Sequence, residues 1–170
     1  MIPLEAIEEG SAVFIDANVF VYHFVGASSE CTALLARCET SELRGSTSTL
    51  VVAEVCHRLM MVEAVEKKLV SPGNVPRKLG RRPEVVRQLT TYEASVESIS
   101  SMGIELAPLT NATIVQGLRL QRRYGLLTND SLVVATMLHS GVRLLVSADR
   151  RLAVVNEIEI AVPSDLAPAS

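Results

Sequence analysis

The stretch AVFIDANVF, residues 12–20, constrains the fold of this chain more than any other segment. Residues 12–15 are apolar and partly β-branched, which is typical of a strand buried on both faces of a sheet. Asp16 follows at the carboxyl end of this predicted strand, and ligands of open α/β sheets bind beyond that end. Considered alone, Asp16 is equally well explained as a helix cap, so its interpretation depends on the other carboxylates of the chain.

Composition limits the classes of protein to which the chain can belong. Its 170 residues, 48% of them hydrophobic, suit one domain of ordinary size. A net charge of -3 gives no indication of a nucleic-acid or membrane partner. The three cysteines form no CxxC pair, which predicts small core thiols rather than a disulfide framework or a zinc site. Because no apolar run reaches the length of a membrane span and the N-terminus lacks a signal-peptide layout, we expect a soluble, cytoplasmic protein without a membrane partner.

Strand and helix patterns alternate along the chain. Strands are predicted at 12–16, 44–48, 104–109, 142–147 and 157–162. Helices are predicted at 17–25, 30–40, 49–68, 83 to about 102, 111–125, 129–140 and 150–155. The Pro- and Gly-containing segment 71–83 is predicted to be a loop or a broken helical excursion. This alternation predicts a single α/β domain with a parallel sheet and helices on both faces, with its core at about 12–162 and a frayed tail at 163–170.

Four carboxylates lie next to or within segments that are predicted to be buried or to begin a helix: Asp16, Glu54, Asp130 and Asp149. Asp149 follows a predicted buried strand and Asp130 opens a predicted helix, although helix capping explains either residue taken alone. Glu54 interrupts an apolar helix, where an i,i+4 pair with Arg58 is its structural explanation. The functional explanation is that these acids converge on a divalent metal, which would suppress their mutual repulsion. Oxygen ligands alone favour Mg²⁺ or Mn²⁺ over zinc.

These residues resemble the four motif blocks of the PIN-domain nucleases. The blocks are D-x-N from Asp16, a Ser/Thr-rich strand end followed by Glu54, D-x-x-x-x-A from Asp130 and S-x-D ending at Asp149. Their order and spacing over residues 12 to about 155 also resemble the family. The resemblance implies a PIN-like three-layer α/β/α sandwich with a central, mainly parallel sheet. It further implies that Asp16, Glu54, Asp130 and Asp149 are the catalytic, metal-binding residues, with Asn18 and Ser147 as supporting polar residues.

The same resemblance implies a function and partners. It implies a Mg²⁺- or Mn²⁺-dependent endoribonuclease, and the compact size resembles the VapC toxins of VapBC toxin–antitoxin pairs. That subgroup implies a small antitoxin partner and a homodimer, for which helix 30–40, with Leu34 and Leu35, and the segment after Lys67 are the candidate interfaces. Two alternatives stay open: a PIN-domain RNA-processing nuclease that is not a toxin, and a non-catalytic RNA-binding or assembly protein. A receiver-like domain is disfavoured because no Lys follows Lys78.

Basic residues are concentrated in the middle of this acidic chain. Such clusters steer nucleic-acid backbones, although a solvated surface explains a basic run equally well. The candidates for RNA binding are Arg77, Lys78, Arg81 and Arg82, with a second cluster at Arg119, Arg122 and Arg123.

Overall fold

The computed structural model describes residues 1–166, and within them a six-stranded sheet has only parallel neighbours. The strands are β1 (Ile2–Pro3), β2 (Ala12–Ile15), β3 (Arg44–Ser48), β4 (Glu105–Ala107), β5 (Leu144–Val146) and β6 (Glu159–Val162). Their order across the sheet is β1-β6-β5-β2-β3-β4. The predicted parallel sheet is therefore confirmed, and β1 is a strand that the sequence pattern did not predict.

Helices cover both faces of this sheet. They are α1 (Ala17–Phe24), α2 (Ser29–Glu39), α3 (Thr49–Glu66), α4 (Val75–Leu79), α5 (Pro83–Val86), α6 (Thr91–Ser98), α7 (Asn111–Tyr124) and α8 (Thr128–His139), with 3-10 turns at Leu4–Ala6, Ile99–Ser101 and Arg150–Val154. Val13, Phe14 and Ile15 are consecutive in β2, and each is 0% exposed. Because successive strand residues point to opposite faces, both faces are covered, which confirms the α/β/α sandwich.

The register of the two central strands determines where the site lies. Ile15 of β2 is paired with Val146 of β5, so the residues that follow, Asp16 and Ser147, emerge side by side at the carboxyl edge of the sheet. From β2 the chain continues outward through β3 and β4, then crosses back to β5 on the other side of β2. This reversal is the position at which parallel α/β sheets form a ligand-binding crevice.

The single helix predicted from 83 to about 102 is wrong. The segment contains α5, then a break, then α6 and a 3-10 turn. The break has a nonlocal cause, because the carboxylate of Glu63 in α3 accepts backbone N–H hydrogen bonds that start α6. The donors are Thr90 (3.0 Å), Thr91 (3.1 Å) and Tyr92 (2.9 Å).

Helix α3 is less buried than its apolar sequence predicts. Its buried positions recur every four residues at Val51, Val55, Leu59 and Glu63, whereas His57 is exposed. The helix therefore buries one face, and the opposite side is available to the pocket described below. Two other differences are local: Thr110, not Asn111, caps α7 through a capping box with Thr113, and Cys56 is only half-buried, unlike Cys31 and Cys38.

Leu34 and Leu35 belong to the protein's own core. Each is only 2% exposed, so an interface on α2 would have to use the outer face of the helix instead of these two side chains, and that interface stays a prediction.

The segment after β6 contacts the start of α2. Asp165 Oδ1 accepts a hydrogen bond from Ser28 Oγ at 2.7 Å, and Asp165 Oδ2 accepts one from the Glu30 N–H at 3.1 Å. The remainder of the predicted frayed tail, 167–170, lies outside the described residues. Within residues 1–166 no single helix is long and apolar enough to cross a membrane, and α1 and α2 pass that test only as a pair bent by 107°.

Candidate active site

Asp16 lies at the centre of a hydrogen-bonded group at the carboxyl ends of β2 and β5. Its Oδ1 accepts from the Ala17 N–H at 2.7 Å, so Asp16 does cap α1. Its Oδ2 accepts from Ser147 Oγ and from Asn18 Nδ2, both at 2.6 Å. The capping and functional explanations are therefore compatible, because a single carboxylate starts the helix and also lines the pocket at this edge of the sheet.

Asn18 and Ser147 join the two strand ends. Asn18 Oδ1 accepts from the Ala148 N–H at 2.9 Å, and Ser147 Oγ accepts from the Asp149 N–H at 3.0 Å. Asn18 is 9% exposed and Ser147 is 0% exposed, so both side chains lie buried beneath the carboxylate of Asp16 and the backbone of Asp149. These contacts hold Asp16 and the backbone of Asp149 in fixed relative positions, which fits the supporting role predicted for both residues.

All four predicted carboxylates line one cavity of about 200 Å³ at this edge. Asp16 and Asp149 reach it from the ends of β2 and β5, Glu54 from the second turn of α3 and Asp130 from the first turn of α8. Asp130 is not the cap of α8, whose N-cap is Leu127. The rest of the lining consists of Asn18, Arg58, Asn129, Val133, Arg151 and Leu152.

The crowding of negative charge changes the acidity of these carboxyl groups. Burial raises the pKa of Asp16, Glu54 and Asp130 above the ordinary values. Neighbouring charges add to it: Asp16 and Asp130 raise the pKa of Glu54, and Asp149 raises the pKa of Asp130. Burial and mutual repulsion therefore disfavour the ionised forms of Asp16, Glu54 and Asp130. A cation placed among them would favour their charged forms.

Two arginines lie among the acids. Arg151 Nε contacts both carboxylate oxygens of Asp149, at 3.0 and 3.1 Å, and its Nη2 lies 2.5 Å from Oδ2. These hydrogen bonds lower the pKa of Asp149. Arg58 Nη1 is 3.8 Å from Glu54 Oε1, so the predicted i,i+4 pair exists, but the contact is long. The sequence reasoning missed Arg151, whose only signal was its position two residues after a candidate ligand.

A family model described as the PIN domain matches residues 13–158. The chain belongs to the PIN domain family. No curated protein matches the sequence significantly.

Solved structures of low sequence identity share the fold of this PIN domain. VapBC2 from Rickettsia felis, bound to a DNA fragment from their promoter, aligns at 13% identity and a TM-score of 0.58 over 89% of this chain and 98% of that chain. VapC20 from Mycobacterium tuberculosis, a sarcin–ricin loop cleaving toxin, aligns at 14% identity and 0.57, with 88% and 98% covered. FitAcB from Neisseria gonorrhoeae aligns at 16% identity and 0.51, with 90% and 97% covered.

The PIN-domain pocket has the donor chemistry that a hard divalent metal requires. Its candidate ligands are carboxylate oxygens, and their mutual repulsion is of the kind that a bound cation relieves. Within residues 1–166 no three His, Cys, Asp or Glu side chains are gathered into a ready-made coordination cluster. The acids therefore surround the cavity rather than meet at one point.

The predicted RNA-binding residues of this PIN domain do not line the pocket. Two of them bond to the protein itself: Lys78 Nζ donates to Ser71 Oγ at 2.8 Å, and Arg82 Nη1 donates to the Leu69 carbonyl at 2.8 Å. Their segment forms a small second core with Ala64, Val70, Leu79, Val85 and Leu89. Since Ala64 lies about 15 Å along the α3 axis from Glu54, the segment packs at the far end of that helix. Arg77 and Arg81 are exposed, and for these two residues RNA binding stays a prediction.

Proposed function

We propose that the protein is a metal-dependent endoribonuclease that hydrolyses RNA phosphodiester bonds in this pocket. The observation that carries the proposal is the convergence of Asp16, Glu54, Asp130 and Asp149 on one cavity of a PIN domain. A stability requirement does not explain this arrangement, because burial and mutual repulsion disfavour the ionised forms of most of these groups.

Asp16, Glu54, Asp130 and Asp149 would hold one or two Mg²⁺ or Mn²⁺ ions. Such ions activate a water molecule and stabilise the charge that develops on a reacting phosphate. Asn18 and Ser147 orient Asp16 through hydrogen bonds of 2.6 Å, and Ser147 also holds the backbone N–H of Asp149. The protein thus fixes Asp16 and the backbone of Asp149 before the substrate arrives. The chemistry requires no Ser or His nucleophile.

We further propose that this PIN domain is the toxin of a toxin–antitoxin pair and acts as a cytoplasmic homodimer that a small antitoxin protein restrains. The support is structural similarity: proteins whose structures are described as toxins or as toxin–antitoxin complexes share the fold over nearly the whole chain. A PIN-domain nuclease without an antitoxin is the alternative, and co-purification of the chain with the product of an adjacent small gene distinguishes the two.

Removal of divalent metal is expected to stop RNA cleavage. Purified protein should cut a mixed-sequence single-stranded RNA in Mn²⁺ or Mg²⁺, should not cut it in EDTA, and should recover when excess Mn²⁺ is added back to the same sample. The measurement is the initial rate from resolved, end-labelled fragments. Equal cleavage in EDTA would reject a metal-dependent enzyme, and RNA binding without cleavage under any of these conditions would favour a non-catalytic binding protein.

A further inference from the structure

We propose that Arg58 binds a phosphate of the RNA substrate at the mouth of the acidic pocket. The inference rests on the proposed nuclease function and assigns a substrate-binding role to a residue that the sequence explains only as the helical partner of Glu54. It depends on three features of the structure: the position of Arg58, the weakness of its contacts and the contrast with Arg151.

Arg58 is placed where a substrate phosphate would have to pass. It lines the same cavity as the four carboxylates, one turn after Glu54 on the face of α3 that is not buried in the core. Its side chain is 34% exposed, so the guanidinium reaches both the pocket and solvent.

The guanidinium of Arg58 is largely uncommitted. Its ion pair with Glu54 spans 3.8 Å, beyond hydrogen-bond distance, and it makes no side-chain hydrogen bond to any of residues 1–166. An i,i+4 ion pair that is partly exposed and this long contributes little to the stability of a helix. Support of the helix therefore does not account for a cation at this position.

Arg151 provides the contrast within the same pocket. Its Nε and Nη2 donate hydrogen bonds to both carboxylate oxygens of Asp149, so two of its guanidinium nitrogens already have a partner within the protein. It holds one carboxylate in place, while Arg58 keeps its N–H donors available.

A free guanidinium is needed because the pocket is strongly acidic. The four carboxylates outnumber the two arginines, so the pocket without metal repels an RNA phosphate, and Arg151 is already hydrogen-bonded to Asp149. A guanidinium matches two phosphate oxygens at once, which a single-point cation such as lysine does not do. Arg58 is therefore suited to bind a phosphate despite the negative charge of the carboxylates in the pocket.

The experiment measures binding in the absence of cleavage. Affinity for a fluorescein-labelled single-stranded RNA is determined by anisotropy in EDTA, at several salt concentrations, for the wild type, Arg58→Gln, Arg58→Lys and Arg44→Gln. Arg44 is the matched control because it begins β3, at the opposite edge of the sheet, where its Nε bonds to the Gly10 carbonyl at 3.1 Å. Circular dichroism of each variant checks the fold.

We expect Arg58→Gln to weaken binding about 10-fold and to reduce the slope of log affinity against log salt by about 0.7, the value for one single-strand phosphate contact. Arg58→Lys should keep the slope with part of the affinity lost, and Arg44→Gln should change neither. If Arg58 only orients Glu54, Arg58→Gln will keep wild-type affinity and slope, and the inference is overturned. Should the wild type neither bind nor cut RNA, the proposed function falls together with this inference. A wild type that cuts RNA but binds none in EDTA, or whose binding Arg58→Gln leaves unaltered, removes this inference alone.

Discussion

Substitution of Asp16 by Asn is expected to lower the rate of RNA cleavage at least about 100-fold, because the loss of a carboxylate that we propose binds the metal would remove several kcal/mol of transition-state stabilisation. The fold should survive. Asn keeps the side-chain oxygen that accepts the Ala17 N–H, and Asn caps helices as well as Asp does. Its amide nitrogen replaces Oδ2 and cannot accept the hydrogen bonds from Asn18 and Ser147, so we expect a lower unfolding midpoint with the fold retained. The measurement is the initial cleavage rate in saturating Mn²⁺, with the thermal unfolding midpoint recorded on the same preparation.

Glu157→Gln is the matched control for Asp16→Asn. It also neutralises one carboxylate, but Glu157 bonds to Arg123 at 2.8 Å and lies outside the pocket. Its cleavage rate should equal that of the wild type. Near-wild-type cleavage by Asp16→Asn would mean that the observed activity does not come from this site.

The second large effect concerns stability. Glu63→Ala is expected to destabilise the protein by about 3 kcal/mol, because it leaves without an acceptor the three backbone N–H groups that start α6. For a chain of 170 residues this corresponds to a fall of roughly 6–12 °C in the unfolding midpoint. Glu66→Ala is the control, since Glu66 is an exposed residue of the same helix. Equal midpoints for the two variants would show that Glu63 does not stabilise α6.

The same residue predicts a dependence of stability on pH. Burial alone would raise the pKa of Glu63, but hydrogen bonds from Lys67 and from the backbone of α6 outweigh it and lower the pKa from 4.5 to about 2. A lowered folded-state pKa means that the stabilisation is fully present above about pH 4.5 and is lost as the pH falls towards 2. Urea unfolding between these values should show a larger loss of stability in the wild type than in Glu63→Ala, where Asp149, Glu157 and Asp165, whose pKa values are also lowered, still contribute.

The residues of the pocket were predictable because local rules place them there. Asp16 and Ser147 each follow a buried strand, and parallel register brings the residues after neighbouring strands together. Glu54 was detectable as a carboxylate in an apolar helix, and Asp130 from its place in the first turn of α8. Apart from the parallel pairing of β2 with β5, each rule uses only neighbours in sequence and the geometry of one element, so it can be applied to the sequence alone.

The features that the sequence did not reveal depend on contacts between distant segments. The break before α6 requires the carboxylate of Glu63, which is 27 residues from Thr90, and no Pro or Gly stands at the break itself to indicate it. The apolar composition of α3 concealed its one-sided packing, because apolar residues such as Val52 stay only half-buried although their type favours full burial. The hydrogen bonds from Arg151 to Asp149 depend on the conformations of both side chains, which sequence spacing does not predict.

Calorimetric titration of Mn²⁺ into metal-free protein tests, without relying on catalysis, whether carboxylates from separate parts of the chain share one divalent-metal site. The wild type and Glu157→Gln should bind Mn²⁺ with equal affinity, while Asp16→Asn and Asp130→Asn should each bind it at least about 10-fold more weakly. Binding that is unchanged in both Asp variants, or a wild type that takes up no Mn²⁺, would contradict the account.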